Sequence, residues 1–155
     1  MENFHPTQKA ALFSGPGRTE IGGNHTDHQH GHVLCASVDM DMLACAAPNG
    51  LNVIHIQSEG YSALEIDLGD LDPKPAEENT SAAYEVLIGN IINHFFCGGE
   101  LDAVQIAKIG QYAENIYFGK PCDLMDQMGA SIGGVVAIDF RDPENILYPK
   151  KRTNR

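Results

Sequence analysis

Between residues 24 and 32 the chain reads NHTDHQHGH, gathering four imidazoles (His25, His28, His30, His32) and one carboxylate (Asp27) into nine positions. Such a set could ligate a metal, or it could form a tag-like polar tract. Ligation needs the rings to converge. The HxxHxHxH spacing, in a loop flanked by Gly22, Gly23 and Gly31, matches neither the i, i+4 pair of a zinc-binding helix nor a finger spacing. A solvated histidine-rich loop without chemistry is the alternative that the tract, taken alone, leaves open.

The elements that must position such a loop are legible in the rest of the chain. At 155 residues one domain is expected, large enough to bury roughly 70% of its unfolded surface. With 43% hydrophobic and 20% charged residues it falls among globular proteins, not disordered or fibrous ones. KAALF (9 to 13), HVLCASVDMDMLACA (32 to 46) and VVAIDF (135 to 140) read as strands, and NVIHIQSEG with SALEIDLGD reads as a hairpin turning at Glu59-Gly60. One antiparallel sheet is expected from the strands and hairpin of the N-terminal half. From Ser81 the period changes to helical: Tyr84, Leu87, Ile88, Ile91, Ile92, Phe95 and Phe96 form an apolar side that stops at Gly98-Gly99. A second helix starts at the N-cap Asp102, with Gln105 at N3, a Leu101/Ile106 staple, and an apolar side of Val104, Ile109, Tyr112, Ile116 and Phe118 ending at Gly119. The pattern is α+β.

Charge and cysteine usage exclude several classes. The formal net charge is −11, and the basic residues cluster at the end: without Lys150, Lys151, Arg152 and Arg155, residues 1 to 149 hold 6 basic and 21 acidic groups, or −15. Nucleic-acid binding is disfavoured, and the tail YPKKRTNR reads as a frayed or out-of-frame terminus before it reads as a nucleic-acid arm. Cys35, Cys45, Cys97 and Cys122 contain no C-x-x-C pair and are expected to be buried free thiols. No run approaches 18 apolar residues, and MENFHPTQKAALF lacks the basic and apolar regions of a leader, so a cytoplasmic protein without membrane contact is expected.

The wider context of the histidine tract, SGPGRTEIGGNHTDHQHGHVL, resembles the galactokinase signature, in which Pro-Gly-Arg is followed through a Gly by Glu-His-Thr-Asp, a further Gly and an apolar strand. Pro16-Gly17-Arg18, Gly23, His25-Thr26-Asp27 and Gly31 stand in the matching places. About a hundred residues on, AENIYFGKPCDLMDQMGASIGG (113 to 134) resembles the galactokinase segment carrying Gly-x-Pro-Cys-Gly-x-Met-Asp-Gln. The chain is thus identified as a member of the galactokinase branch of the GHMP sugar kinases, the resemblance running over residues 8 to 146. It implies an incomplete GHMP-kinase N-terminal domain of the ribosomal protein S5 domain 2-like type, with helices packed on one face of an antiparallel or mixed sheet. Residues 8–70 would be the strand-rich, sugar-binding part, and 81–140 the helical part with the catalytic aspartate.

By the same resemblance, galactose would be phosphorylated at its anomeric hydroxyl by ATP with Mg²⁺. Asp126 would be the base and Arg18 its neighbour at the transferred phosphoryl group, with Asn24, His25, Asp27 and Asp123 on the sugar. The residue types suit these tasks. Asn24, His25 and Asp27 offer an amide, an imidazole and a carboxylate to sugar hydroxyls, each of which costs about 1–3 kcal/mol if left unpaired. An adjacent cation favours an ionised carboxylate and compensates charge spreading over the γ-phosphate.

Departures from the family pattern sharpen the reading. Asn24 stands where galactokinases usually have Glu, His28 where they have Tyr, and Asp123 where they have Gly, adding a negative charge close to Asp126. Of the family's Gly-Leu-Ser-Ser-Ser-Ala phosphate loop only Ser81-Ala82-Ala83 resembles the tail, so Ser81 and Ala82 are the candidates for ATP phosphates and Ser81 for magnesium. No glycine lies between Gly69 and Gly89. The family's helix and strand before that loop have no counterpart, so an internal deletion is expected near Pro75 to Thr80. Its C-terminal half has none either, so a truncated chain is expected. The deletion should expose apolar surface, with self-association or partial unfolding as its consequence. Two functions stay open: a galactokinase, and a non-catalytic relative that binds galactose or has no activity of its own.

Overall fold

The computed structural model describes residues 9–23, 26, 29–72 and 81–142. Asn24, His25, Asp27, His28, the segment 73–80 and the basic tail lie outside these described residues.

Strand β1 (Ala11–Gly22) runs antiparallel to β2 (His32–Ala46), with Phe13 opposite Ala44 and Arg18 opposite Ser37. The pattern predicts a strand ending at Phe13, but β1 continues nine residues further, through Pro16 and Gly17. Proline cannot donate to a ladder, yet β1 is an edge strand, and the register shifts between Pro16 and Arg18. An edge with a bulge is where proline is tolerated.

The hairpin forms as expected, from β3 (Val53–Ile56) and β4 (Leu64–Asp67), and Gly60 takes the positive φ of 80° that its turn requires. Contrary to the expectation of one antiparallel sheet, it does not join the main sheet. Its strands are four residues each, none of them fully buried, and among the described residues they pair only with one another. The other edge of β2 is taken by β5 (Val135–Asp139), which sets Cys35 opposite Val136 and gives the order β1-β2-β5.

Helix α1 (Ala82–Phe96) starts at Ser81, whose Oγ accepts from the Tyr84 N–H at 3.3 Å, and stops at Gly98 and Gly99, both with positive φ. Helix α2 (Ala103–Tyr112) has the expected capping box: Asp102 Oδ1 accepts from Gln105 N–H, and Gln105 Oε1 from Asp102 N–H, each at 2.9 Å. Removing the cap with Asp102→Ala is expected to cost about 1 kcal/mol, which lowers Tm by roughly 2–4 °C in a chain of this size. A thermal melt followed by circular dichroism checks it.

The buried faces of both helices differ from the apolar stripes. In α2 the buried line is Ile106, Ala107 and Gly110, while Ile109, Tyr112 and Ile116 are exposed by more than half. Small residues decide this: a Cβ at Gly89 of α1 would stand 2.9 Å from Ile106, so the two helices meet closely along this line. In α1, Phe96 is exposed and Asn93 buried, its amide donating to Leu101 O (3.0 Å) and accepting from Leu101 N–H (3.2 Å).

After Tyr112 the chain does not continue as α-helix to Gly119. It takes one π-helical turn (Ala113–Tyr117), and a loop then leads into α3 (Met125–Ile132). Helix α3 packs on the inner face of the sheet, where Met125 and Met128 meet Val33, Cys35, Val136 and Ile138 to form the core. The outer face leaves Leu12, Leu43 and Val135 at 84, 76 and 69% exposure. Of the four cysteines, all free, only Cys35 is buried; Cys45 faces outward opposite Leu12, and Cys97 and Cys122 are half-buried.

Candidate active site

Arg18 projects from the inner face of β1, just past the bulge, towards α3. There its guanidinium pairs with the carboxylate of Asp126 in the first turn of the helix. The two residues are 108 positions apart in sequence, and each side chain is 34% exposed, enough to meet a ligand. Gly129, one turn on, allows the approach: a Cβ there would stand 3.2 Å from Arg18 Cβ and 3.3 Å from Cys35 Sγ. Cys35 lies beneath the pair, and burial pushes its thiol up in pKa, with Arg18 pulling the other way.

The loop after β1 is closed by Thr26. Its N–H donates to Gly23 O (3.2 Å) and its Oγ1 to His32 O (3.2 Å), while its own carbonyl accepts from the Gly31 N–H at 2.8 Å. Glycines are required on both sides. Gly23 has φ 126°, and a Cβ at Gly31 would fall 2.4–2.9 Å from Thr26. The rim at the end of β1 is thus built from signature residues, five positions after Arg18. Asn24, His25 and Asp27 lie outside the described residues, so this rim is seen only through Gly23, Thr26 and Gly31. His32 is drawn to Asp139 across β2 and β5 at 3.3 Å, and no group of His, Cys, Asp or Glu that could hold a metal is found among the described residues.

The first turn of α1 reaches the same place. Gly15 of β1 lies against it, where a Cβ would come within 3.1 Å of Ala83 O. Glu85 Oε2 accepts from Gln127 Nε2 at 3.3 Å, so the N-terminus of α1 adjoins the residue next to Asp126. Ser81 is exposed and Ala82 half-buried at that end. Asp123 is exposed in the loop before α3. The structure therefore brings Arg18 and Asp126 into contact and the α1 terminus near them.

Sequence reasoning missed the polar core behind α3. Gln127 is fully buried and donates to Glu114 Oε2 at 2.8 Å, and Glu114 Oε1 accepts from Lys120 Nζ at 2.7 Å. One signal for it was available: Glu114 continues the buried line Ile106, Gly110 at a helical spacing of four.

Two comparisons with sequence families now bear on this site. Residues 1–48 match the galactokinase galactose-binding signature, and residues 80–134 match the GHMP kinases N terminal domain. The chain is a relative of the galactokinases, over their N-terminal portion. The galactokinase of Clostridium tetani is 26% identical over 159 residues, covering 78% of this chain and 40% of the relative. That of Bacillus subtilis is 25% identical over 170 residues, covering 84% and 43%. The crystal structure of Lactococcus lactis galactokinase complexed with galactose superposes with a TM-score of 0.76 at 19% identity, over 92% of this chain and 47% of that one. The fold is that of a GHMP-kinase N-terminal domain. The chain spans less than half the length of these curated relatives. The B. subtilis alignment is 170 residues long but draws on 84% of 155, about 130, so roughly 40 of its positions face no residue here. An internal deletion would leave such a shortfall.

Proposed function

We propose that the chain carries a galactokinase-type site, which phosphorylates D-galactose at its anomeric hydroxyl to give galactose 1-phosphate. The contact of Arg18 with Asp126 carries the reading, because it unites the two matched segments at one half-exposed point. Asp126 would accept the proton of the anomeric hydroxyl as it attacks, and Arg18 would hold that carboxylate in place and face the developing negative charge. Asn24, His25, Asp27 and Asp123 would hydrogen-bond the remaining hydroxyls, fixing the sugar in an attacking position.

Ser81 and Ala82 suit a nucleotide's phosphates, being an exposed hydroxyl and a helix N-terminus beside Asp126's helix. ATP would supply the phosphoryl group, and Mg²⁺ arriving with it, held in part by the Ser81 hydroxyl, would offset its charge. The setting would be cytoplasmic, and no helix among the described residues is long and apolar enough to cross a membrane.

A second reading, galactose binding with little turnover, is favoured by one observation: no glycine precedes Ser81 back to Gly69, so the backbone donors of a Gly-rich loop are not supplied. A ¹⁵N-correlated NMR titration with galactose, with glucose as epimer control, tests the sugar site. Shifts at Thr26 and Asp126 with galactose alone are expected, and indifference to both sugars would sink the proposal. Transfer from MgATP is expected at least about a thousandfold below that of a complete galactokinase, since about 4 kcal/mol of lost phosphate contacts suffices.

A further inference from the structure

The helix that precedes Asp126's loop does not simply end. After Tyr112 it widens into one π turn, closed by Phe118 N–H donating to Ala113 O at 3.2 Å. An inserted π turn re-aims side chains and recurs at functional sites. Here it turns two consecutive polar residues towards the segment that carries Asp126.

Glu114 is 3% exposed, and its three acceptors are all engaged: Oε1 by Lys120 Nζ (2.7 Å), Oε2 by Gln127 Nε2 (2.8 Å) and its carbonyl by Lys120 N–H (3.0 Å). Burial alone would raise its pKa. Hydrogen bonds from Cys122, Lys120 and Gln127 outweigh that and hold the carboxyl below its usual value. Asn115 grips the same loop from the other side, accepting from Cys122 N–H at 2.8 Å and donating to Cys122 O at 3.3 Å.

Helix α3 starts at an apolar residue. Its N-cap residue, Leu124, makes no side-chain cap hydrogen bond. The helix's first turn is held by the burial of Leu124 and Met125 and by the acceptors of Nε2 of Gln127, the residue directly after Asp126: Glu114 Oε2 is the nearest at 2.8 Å, with Glu85 Oε2 at 3.3 Å and Cys122 Sγ at 3.5 Å. Gln127 Oε1 is buried with no hydrogen-bond partner among the described residues, so its Nε2 bonds alone orient the amide.

We propose that Glu114 is a positioning residue: through Gln127 it sets the rotation of α3 that presents Asp126 to Arg18. The inference rests on reading Asp126 as the site's carboxylate, but its test needs neither sugar nor turnover. In an ion pair, rotation of the Arg18 guanidinium is slowed, and its Nη nitrogens give separate NMR signals. Asp126→Asn supplies the reference for the released state. Glu114→Gln keeps the shape and removes the charge, while Gln127→Met keeps the volume and removes the link.

Both variants are expected to merge the Arg18 signals as Asp126→Asn does, at temperatures well below their melting, with the amides of β3 and β4 unmoved. The double variant should add nothing to either single change. Separate Arg18 signals in either variant, folded, would overturn the proposal, since a purely structural Glu114 lowers Tm without freeing Arg18. If neither variant folds, Glu114 is a determinant of the fold and the positioning role is equally lost.

Discussion

Asp126→Asn is expected to lower phosphate transfer to galactose by about a thousandfold from the chain's own rate, with little change in galactose affinity. The carboxylate pairs with Arg18 at the half-exposed end of α3, and asparagine fills the same space without accepting a proton. Removing a positioned general base typically costs roughly 10²–10⁴-fold. The packing of Met125 and Met128 on Val33, Cys35, Val136 and Ile138 does not depend on the ion pair, so α3 should keep its place against the sheet when Arg18 is released. This separates chemistry from folding. Transfer of radiolabelled phosphate measures the rate at low turnover, and the NMR titration with galactose measures affinity. An unchanged rate would remove Asp126 from the chemistry, whereas equal losses of rate and sugar binding would make it a sugar ligand.

The parts of the fold that were legible in the sequence are those set by local chemistry. Asp102 and Gln105 form their reciprocal cap because both partners lie within one helical turn, and Ser81 caps α1 for the same reason. Gly60 turns the hairpin. What escaped depends on distant packing. β1 passes through Pro16 because no strand among the described residues lies on its outer side, which composition does not reveal. The apolar stripes of α1 and α2 mislead because close packing at Gly89, Ala107 and Gly110 rotates the helices onto their small residues and leaves Phe96 and Tyr112 outside. Helix α3 has only eight residues, too few for a period to stand out. Of the candidate site, Arg18 and Asp126 were reached by resemblance, because no local pattern links residues 108 positions apart. Glu114 and Gln127 were missed because a buried carboxylate and amide are found by their partners, not by their types.

Gly129→Val is expected to destabilise the chain by about 1–3 kcal/mol, in the range of other overpacked cores, and to free Arg18 from Asp126 at the same time. Gly129 sits where α3 crosses β1 and β2, and even one added carbon would stand 3.2 Å from Arg18 Cβ and 3.3 Å from Cys35 Sγ. Neither neighbour yields easily. Arg18 Cβ is fixed by the strand backbone, and Cys35 is fully buried in the core. Alanine needs a shift of a few tenths of an ångström, but the two further methyl groups of valine must push α3 off the sheet. The Tm should fall by roughly 2–4 °C for each kcal/mol, with Gly129→Ala losing less. If valine lowers Tm but leaves the Arg18 signals separate, the pair tolerates movement of α3, and close helix-to-strand contact is not what holds it. If valine is neutral in both, α3 lies further from the sheet than this packing requires. The glycine then serves the fold in some way other than by letting Arg18 and Asp126 meet.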